Sequence, residues 1–183
     1  MSFRLIETYF EDEVKVISPT VFTDARGYFA MTYREDDYAA MGLPTHYPQD
    51  SQSFSARNVL RGLHFQLTPP MGKLMRVTRG AAFLVAVNIN PDSPFFLRHA
   101  ACFATDTNMQ QLYAPAHYAR GFYSMADDTI VQYKCTGLYD PKGDAGIRWD
   151  DPAIGISWPA PYPMLSDKDK NAPTVDEYLR RKA

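Results

Sequence analysis

The sequence predicts one all-β domain over residues 1–183, a sandwich or barrel with a few short helices. Three observations lead there. Aromatic residues make up 14% of the chain, with 12 Tyr and 11 Phe, and such side chains suit pleated, half-buried surfaces. The chain carries 14 prolines and 10 glycines, the residues that set turns. Between those turns lie short apolar or alternating runs at roughly ten-residue spacing, the pattern of antiparallel strands.

Taken in order, Val14-Lys15-Val16-Ile17 reads as a strand ended by Ser18-Pro19. Arg26 to Tyr33 reads as a second, after a turn at Asp24-Ala25. Glu35 to Met41 fits a short helix, with acidic residues at its start and Gly42 at its stop. Asn58 to Gln66 is extended, and Leu74 to Thr78 alternates until Gly80. Ala82 to Ile89 is nearly all apolar and too short for most helices, so it is a buried strand, closed by the turn Asn90-Pro91-Asp92-Ser93-Pro94. Gln110 to Tyr113 and Thr129 to Thr136 are further strands. Ser166 to Asp169 fits a capped turn. Val175 to Arg181 fits a terminal helix, with Asp176 and Glu177 early and Arg180 and Arg181 late, as the helix dipole favours.

A chain of 183 residues is long enough for a real core without staples. Its net charge of −2 argues against a general nucleic-acid binder, which needs a basic face. Its apolar runs are too short to span a membrane, and its N-terminus lacks the apolar core of a signal peptide. Cys102 and Cys135 form no CxxC pair or disulfide framework. A cytoplasmic protein with reduced thiols is the expectation.

The four histidines, His46, His64, His99 and His117, are not paired at ligand spacing, so no metal is expected. His64 lies in Leu60-Arg61-Gly62-Leu63-His64-Phe65-Gln66. In an extended strand Leu60, Gly62, His64 and Gln66 share one face, and Arg61, Leu63 and Phe65 the other. One face then offers a base beside a small residue that leaves room for a ligand; a hydrogen-bonded structural histidine fits the same pattern. The cations Arg61, Lys73, Arg76 and Arg79 suit either a phosphate clamp or a solvated sheet face. Tyr133 and Tyr139 are core or rim residues unless something sets one against a base across a pocket. The charged run after Leu165 is either solvated or folds back to orient a histidine.

In this order the segments resemble one family, the nucleotide-sugar 3,5-epimerases typified by dTDP-4-dehydrorhamnose 3,5-epimerase. The matching stretches are Asp24-Ala25-Arg26-Gly27-Tyr28-Phe29, Asn58 to Gln66, Gly72-Lys73-Leu74, and Tyr133-Lys134-Cys135-Thr136 with Tyr139. They continue with Gly146 to Pro152, Ile156-Ser157-Trp158-Pro159 and Leu165-Ser166-Asp167-Lys168-Asp169. The resemblance implies a cupin-like jelly roll and a homodimer that exchanges N-terminal strands. It implies no cofactor, no metal, and a nucleoside-diphosphate 4-keto-6-deoxy sugar as substrate. The base matches His64, oriented by Asp169, and the acid matches Tyr133. Substrate contacts match Arg26, Gln49, Arg61, Lys73, Tyr139 and Lys168.

This sequence also departs from the family pattern. Met31 stands where the family has Glu, Ser51 where it has Asn, and Asp144 where it has a longer Glu; Leu84 and Asn88 replace acidic residues. Arg120 replaces a substrate-contacting His, and either meets the substrate or turns to solvent, Asp127 or Asp128. The reading is an epimerase acting at C3, C5 or both. A 3,4-ketoisomerase and a catalytically silent sugar-binding cupin are the rivals; the latter should have lost the base or the acid.

Overall fold

The computed structural model describes residues 2–181. Its strands begin with β1 (Phe3–Tyr9), β2 (Val14–Pro19), β3 (Val21–Asp24), β4 (Gly27–Ala30), β5 (Gln49–Ser55), β6 (Leu60–Gln66) and β7 (Lys73–Arg79). They continue with β8 (Ala81–Asn88), β9 (His99–Thr105), β10 (Gln111–Ala114), β11 (Tyr118–Ser124), β12 (Thr129–Cys135) and β13 (Asp144–Gly146). The helices are α1 (Glu35–Ala40), α2 (Asp167–Lys170) and α3 (Val175–Arg180).

Two antiparallel sheets carry the architecture, in the orders β1-β2-β10-β7-β12-β5 and β13-β6-β11-β8-β9, with β3 and β4 a separate hairpin. β10 lies between β2 and β7, and β11 between β6 and β8, so the chain crosses repeatedly from one sheet to the other, as in a jelly roll. Period-two alternation builds the core between them. Val14 and Val16, Met75 and Val77, Leu112 and Ala114 enter from one sheet; Leu84 and Ala86, Tyr118 and Phe122 enter from the other.

The opposite face of the five-stranded sheet is also buried. Leu63, Phe65, Val85 and Val87 pack there against Ile147, Ile154 and Val175 of the C-terminal segment. This second core holds the C-terminal segment against the sheet, and α2 packs on β6. On the far side, Tyr38 of α1 packs with Phe3, Ile17 and Leu74.

The expected strand from Arg26 to Tyr33 is shorter, because β4 pairs with β3 alone and its register ends at Ala30 opposite Val21. Five strands without a clear sequence signal, β1, β5, β9, β11 and β13, complete the sheets. Both C-terminal helices form. Ser166 caps α2 by accepting from the Asp169 amide, and Thr174 with Glu177 makes a capping box on α3.

Candidate active site

β6 reaches the site through a bulge. Arg120 of β11 stands opposite His64 and Phe122 opposite Arg61, so three steps of β6 match two of β11. The extra residue breaks the alternation that the sequence suggests. Arg61 and His64 therefore line the same cleft, while Leu63 and Phe65 enter the second core. The expectation that Arg61 faces away from His64 is corrected by this register shift. Gly62 lies in the bulge at φ +138°, and a Cβ there would sit 2.7 Å from the Gly121 Cα. Its smallness serves the close approach of two backbones rather than room for a ligand.

The cleft measures about 250 Å³ and is lined from both sheets. Arg61, His64, Arg120 and Phe122 come from the five-stranded sheet. Ser53, Lys73, Met75 and Tyr133 come from the six-stranded sheet, and Ser166 and Asp169 from α2 and its cap.

His64 Nε2 lies 2.6 Å from Asp169 Oδ1, with the carboxylate side chain 4% exposed and the imidazole 30%. Asp169 Oδ2 accepts from Ser166 Oγ at 2.8 Å. Burial pushes the Asp169 carboxyl up, but hydrogen bonds and charge from His64, with help from Ser166 and the Gly62 backbone, outweigh it and hold the group below its ordinary value. Asp169 is thus an acceptor only, and His64 Nε2 carries the hydrogen between them.

Tyr133 Oη lies 2.8 Å from Ser53 Oγ. Burial pushes its phenol up to about 12, so it is neutral at physiological pH. The Lys73 ammonium sits 5.7 Å from the Tyr133 ring centroid, and burial, then the charge of Arg120, lowers its proton affinity. Arg61 donates to Ser55 Oγ and to the Phe54 carbonyl, both at 3.0 Å. Arg120 neither meets solvent nor pairs with Asp127 or Asp128, which bind Arg57 and Arg79.

A second group gathers Gln49, Tyr139 and Lys168. Gln49 Oε1 accepts from the Tyr139 amide at 2.8 Å, and Asp144 Oδ2 accepts from Tyr139 Oη at 3.1 Å and from Lys168 Nζ at 2.5 Å. Gln66 ties this loop to β6 by donating to the Leu138 carbonyl and accepting from the Asp140 amide. Arg26 is not brought in. It lies at the turn of the β3–β4 hairpin, bound to Asp24, with its side chain 90% exposed.

Sequence reasoning missed Ser53 and Ser166 as partners of Tyr133 and Asp169. The Ser-x-x-Asp spacing of Ser166 and Asp169 was a legible signal for the second. Nothing in the polar run of β5 marked the first.

The profile of the dTDP-4-dehydrorhamnose 3,5-epimerase family matches residues 9–177. The chain belongs to that family. A dTDP-4-dehydrorhamnose 3,5-epimerase of Methanothermobacter thermautotrophicus is 44% identical over 92% of both chains. A Legionella pneumophila dTDP-6-deoxy-D-glucose-3,5-epimerase, solved with dTDP-4-keto-L-rhamnose, superposes with a TM-score of 0.90 at 35% identity, covering 95% of this chain and 93% of that one. The 4-keto-6-deoxy sugar epimerase NovW of Streptomyces spheroides gives 0.92 at 31%, covering 98% and 91%. This family member is an isomerase-class epimerase with the cupin-like fold of its relatives.

Proposed function

We propose that the protein inverts C3, C5 or both of a dTDP-linked 4-keto-6-deoxyhexose by taking a proton from one face of the sugar and returning one to the other. The observation that carries this reading is the placement of the His64–Asp169 pair and Tyr133 on different sheets across one cleft.

The ketone at C4 acidifies the neighbouring C–H bonds. With Nε2–H committed to Asp169, Nδ1 of His64 holds the lone pair that takes the proton. Asp169 fixes that tautomer and stabilises the imidazolium. The enolate oxygen needs a cation, and Lys73, buried with its ammonium over the Tyr133 ring, supplies it. Tyr133, neutral and on the other wall, delivers a proton to the opposite face. Turnover leaves an imidazolium and a phenolate, and exchange with water restores both. No electrons are gained or lost overall, so the reaction calls for no redox cofactor. Arg61 supplies charge for the diphosphate, the remote binding energy that positions the ring.

The hairpin and β1 present Phe22, Tyr28, Phe29 and Leu5, all more than half exposed. In this reading a second copy covers them in a homodimer, and the partner's hairpin supplies Arg26 to the cleft; the solution mass tests it. Proton NMR in D₂O with dTDP-, CDP- and GDP-4-keto-6-deoxyhexoses tests the activity. Deuterium enters at C3, C5 or both with the dTDP sugar, and His64→Ala abolishes entry at every centre. Wash-in by His64→Ala near the native rate would sink the mechanism.

A further inference from the structure

Arg120 is 3% exposed and stands on β11 directly opposite His64. Its Nη1 donates to the carbonyls of Ala114 (3.2 Å) and Pro115 (2.9 Å), and its Nη2 to that of Met71 (2.9 Å). Its Nε has no hydrogen-bond partner among the described residues. Every acceptor it reaches is neutral, so its charge is held by carbonyl dipoles. Those carbonyls flank one residue. Met71 lies two positions before Lys73, which opens β7, and Ala114 is the register partner of Lys73 on β10. With Nη1 and Nη2 both donating to backbone, the guanidinium clamps the chain around Lys73.

We propose that Arg120 is a positioning residue acting through Lys73: it fixes the backbone on both sides of Lys73 and, as a second buried cation, makes the ammonium a proton donor to the enolate oxygen. This rests on the epimerase reading. As His64 takes the α-proton, the C–H electron pair forms the C–C double bond. The carbonyl π pair moves to oxygen, which accepts a proton from Lys73. When Tyr133 protonates carbon, the enol O–H returns its proton to the Lys73 amine. Burial first, then the Arg120 charge and in smaller measure Lys168, outweigh Cys135 and Asp144 and weaken the hold of Lys73 on its proton, which brings donor and enol closer and favours the transfer. Arg120 itself is lowered only to about 10 by burial, so it keeps its charge at neutral pH.

The test follows the Lys73 signal in the full-length protein labelled with ¹³C at lysine Cε, assigned with Lys73→Arg, through a pH titration. In the native protein Lys73 titrates below the ordinary lysine value of about 10.4. Arg120→Gln, which can still donate to carbonyls, moves the midpoint upward, while Arg120→Lys keeps it low. The basic limb of deuterium wash-in moves with the midpoint. The wash-in rate of Arg120→Gln falls by up to about tenfold for each unit of rise. A native midpoint at the ordinary value overturns the proposal whether or not the variants fold. So does an unchanged midpoint in folded Arg120→Gln, or an equal rise in Arg120→Lys. Midpoints that move as expected in a protein that exchanges deuterium into no nucleotide sugar would uphold the coupling and remove the epimerase reading.

Discussion

Replacing Asp169 by Asn probes the pair on which the proposed chemistry depends. The amide is nearly isosteric, so packing around the buried site is kept. What changes is the 2.6 Å contact to His64 Nε2 and the 2.8 Å contact from Ser166. A hydrogen bond to a charged group contributes about 1.5–3 kcal/mol, which corresponds to about 10- to 150-fold in rate when it is realised in the transition state. The Asn amide nitrogen also invites the other imidazole tautomer, which carries its proton where the substrate C–H must be met. With the wrong tautomer dominant, the loss extends toward about 10⁴-fold. The assay is deuterium wash-in at C3 and C5 under saturating sugar, read as kcat with KM little changed. A companion measurement is stability against pH. The Asp169 carboxyl titrates below its ordinary value in the folded chain, so the unfolded chain binds its proton more tightly. Its stabilisation is therefore present above the ordinary carboxylate range and is lost as pH falls through the lowered folded value. Asp169→Asn removes that acid-side slope. A fully active Asp169→Asn with an unchanged acid limb of stability would refute both the orientation and the charge argument.

Tyr133→Phe keeps the base and removes the opposite acid, so deuterium still enters with retention while net inversion collapses; unchanged inversion by NMR would move the acid role to Tyr139. Lys73→Met raises Tm while abolishing turnover, because it removes a buried cation beside Arg120; each kcal/mol recovered adds about 2–4 °C. Since the folded Lys73 binds its proton less tightly than the unfolded chain does, native stability rises with pH toward the ordinary lysine range, and the variant loses that rise; a lowered Tm in calorimetry would count against it. EDTA leaves the wash-in rate unchanged, because no group of three or more His, Cys, Asp or Glu among the described residues is placed to hold a metal ion; a chelator-sensitive rate restored by one metal would reverse this.

Much of the site is legible as residue types. The readings Asn58 to Gln66 and Thr129 to Thr136 contain β6 and β12, and Ser166 caps α2, because turn chemistry and strand preference act over a few neighbours. β5 was unreadable because Ser51, Ser53 and Ser55 alternate with polar Gln52 and Asp50, leaving no apolar face to mark a strand. β11 gave no alternation because the whole strand is buried. The Arg26–Tyr33 reading ran long because a strand ends where its partner does, and β3 was not foreseen.

The sequence by itself determined an all-β chain, its turn positions, the family, and the residues that bear charge or a proton. The tertiary structure alone decided how they meet. A bulge in β6, set by pairing with β11, turned Arg61 and His64 to one side. The crossing of strands between sheets set Tyr133 against His64, and the second core held Asp169 within reach of the ring. Backbone carbonyls of Met71, Ala114 and Pro115 enclosed Arg120, which side-chain patterns leave invisible. Local preferences are written in neighbouring residues, whereas register, sheet facing and backbone acceptors arise from contacts between distant ones, and no short window of sequence contains both partners.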